Sequence, residues 1–197
     1  MNEKKSLLHW FAETTNWFVV FVRTCAEQKV SERLQGKLDA LLYKVFVPTR
    51  DYAFTKDNET SIVKRPLFGG YVFIAATVEI DEFLNTVEPL FYSDSDIYKL
   101  LSNDGQFENI RLLDRDKNLM RAILDENFNV SALKAVADGD WIEVDVSTFA
   151  GLDVNVLRVN KRRQTAVISI LFSGNRTDCE IALDMGVTSG NKHTTYY

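Results

Sequence analysis

The stretch Lys64-Arg65-Pro66-Leu67-Phe68-Gly69-Gly70-Tyr71-Val72-Phe73-Ile74 carries a basic pair and a proline through Leu-Phe into two glycines and then into a run of strand formers. Paired glycines ahead of a strand let the backbone turn tightly or lie close against another segment. Phe68 and Tyr71 flank that turn. Taken as residues alone, the stretch reads as a loop entering a core strand with both aromatics packed inside. The strand, Tyr71 to Val78, is nearly continuous in apolar residues and is expected at the centre of a sheet.

Working outward on the N-terminal side, Trp17 to Val22 is aromatic or β-branched at every position and predicts a strand buried on both faces. Thr24 and Glu27 make a T-x-x-E capping box, so a helix is expected to begin just after it. Ala26, Val30, Leu34, Leu38, Leu41 and Leu42 supply an apolar face at helical spacing. Val45 to Pro48 reads as a second strand, and the polar segment from Asp51 to Ser61 as a solvated hairpin tip. Leu7, Leu8, Trp10 and Phe11 could share one face of a short helix in an appended segment, residues 1–15.

On the C-terminal side, Asp81 is expected to cap a short helix that Pro89 stops, Ile97 to Leu101 is a fourth strand, and a further helix starts near Asp114. The order strand, helix, two strands, helix, strand is the split βαβ pattern of a ferredoxin-like sheet, here over residues 16–126. Residues 127–136 lack periodicity and read as a linker. From Trp141 the pattern changes to short strands of alternating residues: Trp141 to Val146, Val154 to Val159, Thr165 to Phe172 and Asp178 to Leu183. These predict a small all-β barrel over residues 137–185, not a helical hairpin, and a flexible tail at 186–197. The fold class expected is therefore α+β, a ferredoxin-like domain joined by a linker to a small barrel.

Composition narrows the function. The chain has 197 residues, 46% of them hydrophobic, and a net charge of -5, which argues against a protein that coats nucleic acid by bulk charge. Two cysteines far apart, Cys25 and Cys179, make no disulfide framework and fit a reducing cytosol. The longest apolar run is too short to span a bilayer, so a cytoplasmic protein is expected. No phosphate-binding loop, nucleophile elbow or zinc-protease motif occurs, and the two histidines, His9 and His193, stand at opposite ends. Neither an enzyme, a cofactor nor a metal site is expected.

Several of these segments, in this order and spacing, resemble the NusG family of transcription factors. Trp17 to Val22 is similar to the Trp-Tyr-Val-Val opening of that family's N-terminal (NGN) domain. Phe46-Val47-Pro48-Thr49 matches its Val-Pro-Thr strand end, and Leu67 to Val72 its Leu/Phe-Phe-Pro-Gly-Tyr-Val segment, with Gly69 in place of proline. In the second domain, Gly139-Asp140 and Phe149-Ala150 look like the start of a KOW motif, an SH3-like barrel, although Ser147-Thr148 replaces its Gly-Pro. Arg23 to Glu27 and Val159 to Ala166 resemble the LoaP subfamily of specialised antiterminators; the RfaH-like and UpxY-like subfamilies share the same two domains.

The resemblance implies a monomeric factor that binds RNA polymerase through the NGN domain and nascent RNA, such as a leader hairpin, through the KOW domain, with non-template DNA as a further partner. The implied polymerase-binding residues are Trp17, Phe68, Gly70 and Tyr71, with the aromatics partly exposed. Residues 137 to 185 hold five basic against eight acidic residues, yet four of the five fall between Arg158 and Arg163. Such a run is ordinarily a solvated turn, and on a small barrel it is also a phosphate contact. Arg158, Lys161, Arg162, Arg163 and Arg176 are the candidate RNA-binding residues. A stand-alone RNA-binding or ribosome-associated KOW module, with no polymerase contact, is the alternative.

Overall fold

The computed structural model describes residues 10–11, 15–57, 59–102, 110–138, 141–185 and 194–196. In chain order the elements are β1 (Asn16–Val22), α1 (Glu27–Lys37), β2 (Tyr43–Phe46), β3 (Thr49–Lys56), β4 (Glu59–Pro66) and β5 (Tyr71–Ala76). There follow α2 (Ile80–Tyr92), β6 (Ile97–Leu100), α3 (Asp114–Ile123), β7 (Asn129–Val130) and β8 (Leu133–Asp138). The last are β9 (Trp141–Val144), β10 (Val154–Asn160), β11 (Thr165–Phe172), β12 (Asn175–Asp184) and β13 (Thr194–Tyr196). Two compact units result, the first Met1–Pro48, Phe68–Lys117 and Glu126–Phe128, the second Thr49–Leu67, Asn118–Asp125 and Asn129–Tyr197.

The first unit is built on a four-stranded antiparallel sheet in the order β2-β5-β1-β6, the ferredoxin-like arrangement, with β5 and β1 central. Because side chains alternate across a strand, Phe18, Val20 and Val22 share a face with Val72, Ile74 and Ala76. That face meets Val30 and Leu34 of α1 and Phe83 and Val87 of α2. The Phe18 and Phe83 rings stack at 3.6 Å. Burying each of these large side chains stabilises the fold by about 1.5–3 kcal/mol.

The structure departs from four local expectations. Thr24 and Glu27 form no capping box: the N-cap of α1 is Ala26, with no side-chain cap. The same helix stops at Lys37 although the apolar spacing continues to Leu42, because Asp39 Oδ1 accepts the Leu41 N–H at 2.8 Å and offers the backbone a turn instead. Pro89 lies inside α2, which runs on to Tyr92; so near the C-terminus the missing N–H removes one bond, and Ser93 Oγ closes the end on the Leu90 carbonyl at 2.8 Å. The supposed polar tip from Asp51 to Ser61 is mostly strand, β3 pairing with β4 from Thr49↔Pro66 to Lys56↔Glu59.

The second unit holds that ribbon, extended by β7 in the order β4-β3-β7, and a six-stranded sheet in the order β10-β11-β12-β8-β9-β13. The six strands make a small, nearly closed all-β barrel around Ala166, Ile168, Ile170, Ile181 and Leu183. The segment read as a linker contributes β7 and most of β8. Asp51 fixes it, accepting from Asn129 Nδ2 at 2.9 Å and from the Ala132 N–H at 3.0 Å. Tyr196, expected in a flexible tail, belongs to β13, which pairs with β9; the rest of that tail, residues 186–193 and 197, lies outside the described residues, as does most of the appended segment. Cys179 is buried, its Sγ 3.2 Å from the Leu67 carbonyl, and burial pushes its thiol pKa up. Among the described residues no helix is long and apolar enough to cross a membrane.

Candidate functional site

The face of the first unit's sheet opposite α1 and α2 carries the odd-numbered residues of β1, Trp17, Val19 and Phe21, beside Phe46 of β2 and Tyr71 and Phe73 of β5. Its aromatics divide into a closed end and an open end. At the closed end, Phe46 lies 5.2 Å from Trp17, 5.6 Å from Phe73 and 3.9 Å from Phe128, with Phe11 stacked on Phe128 at 5.2 Å. Trp17 is 1% exposed and its Nε1–H donates to the Trp10 carbonyl at 3.0 Å. At the open end, Phe21 lies 5.7 Å from Tyr71 and 5.3 Å from Tyr98. Phe21 and Tyr71 are half-buried, and Tyr98 is 56% exposed.

Two of the residues expected at an exposed polymerase contact are therefore core. Trp17 is buried under other aromatic rings, and Phe68, 3% exposed, stacks toward Phe73 at 6.5 Å. Tyr71 alone of the four presents an accessible side chain. Gly70 is required by geometry. Its φ is +81°, and an added Cβ would stand 3.1 Å from Phe21 Cε2 and 3.3 Å from the Val22 carbonyl oxygen. Its own carbonyl accepts the Val22 N–H at 2.8 Å.

Sequence reading missed Phe21 and Tyr98. The alternation of β1 held the signal for Phe21, since helix-facing residues at 18, 20 and 22 leave 17, 19 and 21 on the other side. Tyr98 sits where β6 slips register against β1, between Phe21↔Lys99 and Val22↔Ile97. Such a slip re-aims a side chain and cannot be read from spacing.

In the second unit, the β10–β11 hairpin ends in a turn at residues 161–164. Gln164 has φ of +51°, Asn160 Oδ1 accepts the Arg163 N–H at 3.0 Å, and the Gln164 N–H donates to the Lys161 carbonyl at 3.2 Å. Arg158, Lys161, Arg162 and Arg163 are all exposed on or beside this turn. A bulge between Val156 and Arg158 turns Leu157 outward as well, 56% exposed. Arg176 does not join them. It lies opposite Leu171, about 20 Å along β11 from the turn at the usual rise per residue, and is paired with Asp153 at 2.6 Å.

The sheet order and the turn define the class: a ferredoxin-like domain with an accessible aromatic patch, and an all-β barrel carrying a cationic hairpin. Residues 15–111 match the family model NusG, described as transcription termination factor nusG. That segment is thus similar to a family of transcription factors rather than enzymes. A solved structure titled "Domain interaction in Thermotoga maritima NusG" is similar at 20% identity with a TM-score of 0.48, covering 85% of this chain and 93% of that one. No curated protein matches the chain.

Proposed function

We propose that the chain is a specialised NusG-type factor of the LoaP kind, acting in the cytoplasm as a monomer and promoting processive antitermination. Its first domain binds RNA polymerase through the open aromatic end of the sheet, Phe21, Tyr71 and Tyr98, with Trp17, Phe68 and Gly70 supporting that surface from within. Its barrel, read as a KOW domain over residues 137–185, takes nascent RNA at Arg158, Lys161, Arg162 and Arg163. The observation that carries this reading is the open patch on a domain similar to the NusG family: accessible aromatics are what protein interfaces bury as anchors.

Support for the RNA contact comes from charge. Three consecutive cations project from one turn of an otherwise acidic chain, so phosphate is attracted there and repelled around it. The test combines two titrations of the full chain, one with purified RNA polymerase and one with a structured leader RNA over a range of salt. Binding to both is expected. Replacing residues 161–163 by alanine is expected to flatten the slope of log affinity against log salt by about two units while polymerase binding survives. RNA binding without any polymerase affinity returns the stand-alone KOW module, and equal slopes reduce the turn to a solvated loop.

A further inference from the structure

The residue that sequence analysis assigned to a capping box has a different partner. Glu27 is 4% exposed, and its Oε1 accepts the Gly70 N–H at 2.6 Å across 43 residues of sequence. The carboxylate sits in the first turn of α1, where unpaired backbone N–H groups and the helix dipole favour negative charge. A bond of this kind, a charged acceptor on a buried amide, is short and roughly twice as strong as a neutral one.

Gly70 is thereby gripped from three sides. Glu27 holds its N–H, Val22 donates to its carbonyl at 2.8 Å, and the Phe21 ring leaves no room for a side chain, at 3.1 Å from where a Cβ would stand. Tyr71 follows directly in sequence and packs against the same Phe21 ring at 5.7 Å. We infer that Glu27 is the positioning residue of the polymerase-facing patch, fixing the Gly70 peptide and through it the Tyr71 and Phe21 rings. The inference rests on the patch proposed above. It adds that the patch is preorganised by a buried carboxylate on α1.

The test uses the full chain with fluorotyrosine incorporated, the Tyr71 resonance being assigned by its loss in Tyr71→Phe. Glu27→Ala is expected to move that resonance and to weaken polymerase binding about tenfold, the usual scale for one lost anchor. Glu27→Gln keeps an acceptor at the same place and is expected to restore both, to within about threefold in affinity. In a Tyr71→Ala background, Glu27→Ala should add less than about twofold, because residues acting as a unit are not additive.

An unmoved Tyr71 resonance in Glu27→Ala, or full additivity of the two alanine variants, overturns the inference. If Glu27→Ala does not fold, Glu27→Gln and Gly70→Ala decide: the amide variant should keep the resonance and the added methyl should shift it by displacing Phe21, and the reverse pattern overturns the inference. Should Tyr71→Ala bind polymerase as the wild type does, the patch reading fails, while the resonance still reports whether Glu27 sets the ring.

Discussion

The two ends of one sheet face, built from the same residue types, meet different fates. At the closed end Trp17, Phe46, Phe73 and Phe128 pack ring against ring and are buried, whereas at the open end Phe21, Tyr71 and Tyr98 stand at similar ring distances but remain accessible to solvent. The covering rings of Phe11 and Phe128 come from outside the sheet and reach only one end. An aromatic on this face is thus a core residue or a contact residue according to what lies over it, and its position along the strand decides which.

The largest effect is expected at the closed end. Trp17→Ala removes a fully buried indole and its hydrogen bond, and should cost about 3–5 kcal/mol in denaturant unfolding. A loss under about 1 kcal/mol would mean that the closed end is not a packed core and that the division is unreal. Tyr71→Ala, at the open end, should invert the pattern: roughly 1–2 kcal/mol lost from polymerase binding, with a smaller change in unfolding. Tyr98→Ala, at the most exposed ring, should lose less affinity than Tyr71→Ala and leave stability within about 0.5 kcal/mol.

Much of this was legible in the sequence. The continuous apolar run of β5 announced a central strand, and the strand-helix-strand order announced the sheet. A hairpin was expected at Asp51 to Ser61, but the length of its strands β3 and β4 escaped because a ribbon with little buried surface has no apolar alternation to display. Strands β7 and β8 escaped because Asp51, distant in sequence, holds their start in place. At the site, the cationic turn was read correctly as an exposed turn, and the residues alone placed Phe68 inside, where it lies; it was the resemblance that implied its exposure. Arg176 was drawn to the patch by its charge alone, and its partner Asp153 lies 23 residues away.

The smallest effect concerns how the first unit holds its helices. Arg33 donates to both oxygens of Asp94 and to Asp96, at 2.8 to 2.9 Å, and these bonds hold the Asp94 carboxyl below its usual range. A depressed folded value means that the stabilisation is present above the ordinary pKa of 3.8 and is lost as pH falls through the lower folded value. Asp94→Asn should therefore remove part of the acid limb of the stability curve, by no more than about 1 kcal/mol given the exposure of Arg33. Stability that is as pH-sensitive in the variant as in the wild type would assign the acid limb to other carboxylates.

The division between the two ends is tested most directly by titrating purified RNA polymerase with the wild type and with Tyr71→Ala, each checked for folding by its denaturant midpoint. A weakening of about tenfold is expected, with the midpoint nearly unchanged. Equal affinities with a midpoint lowered as far as that of Trp17→Ala would contradict it, because Tyr71 would then be one more member of the core.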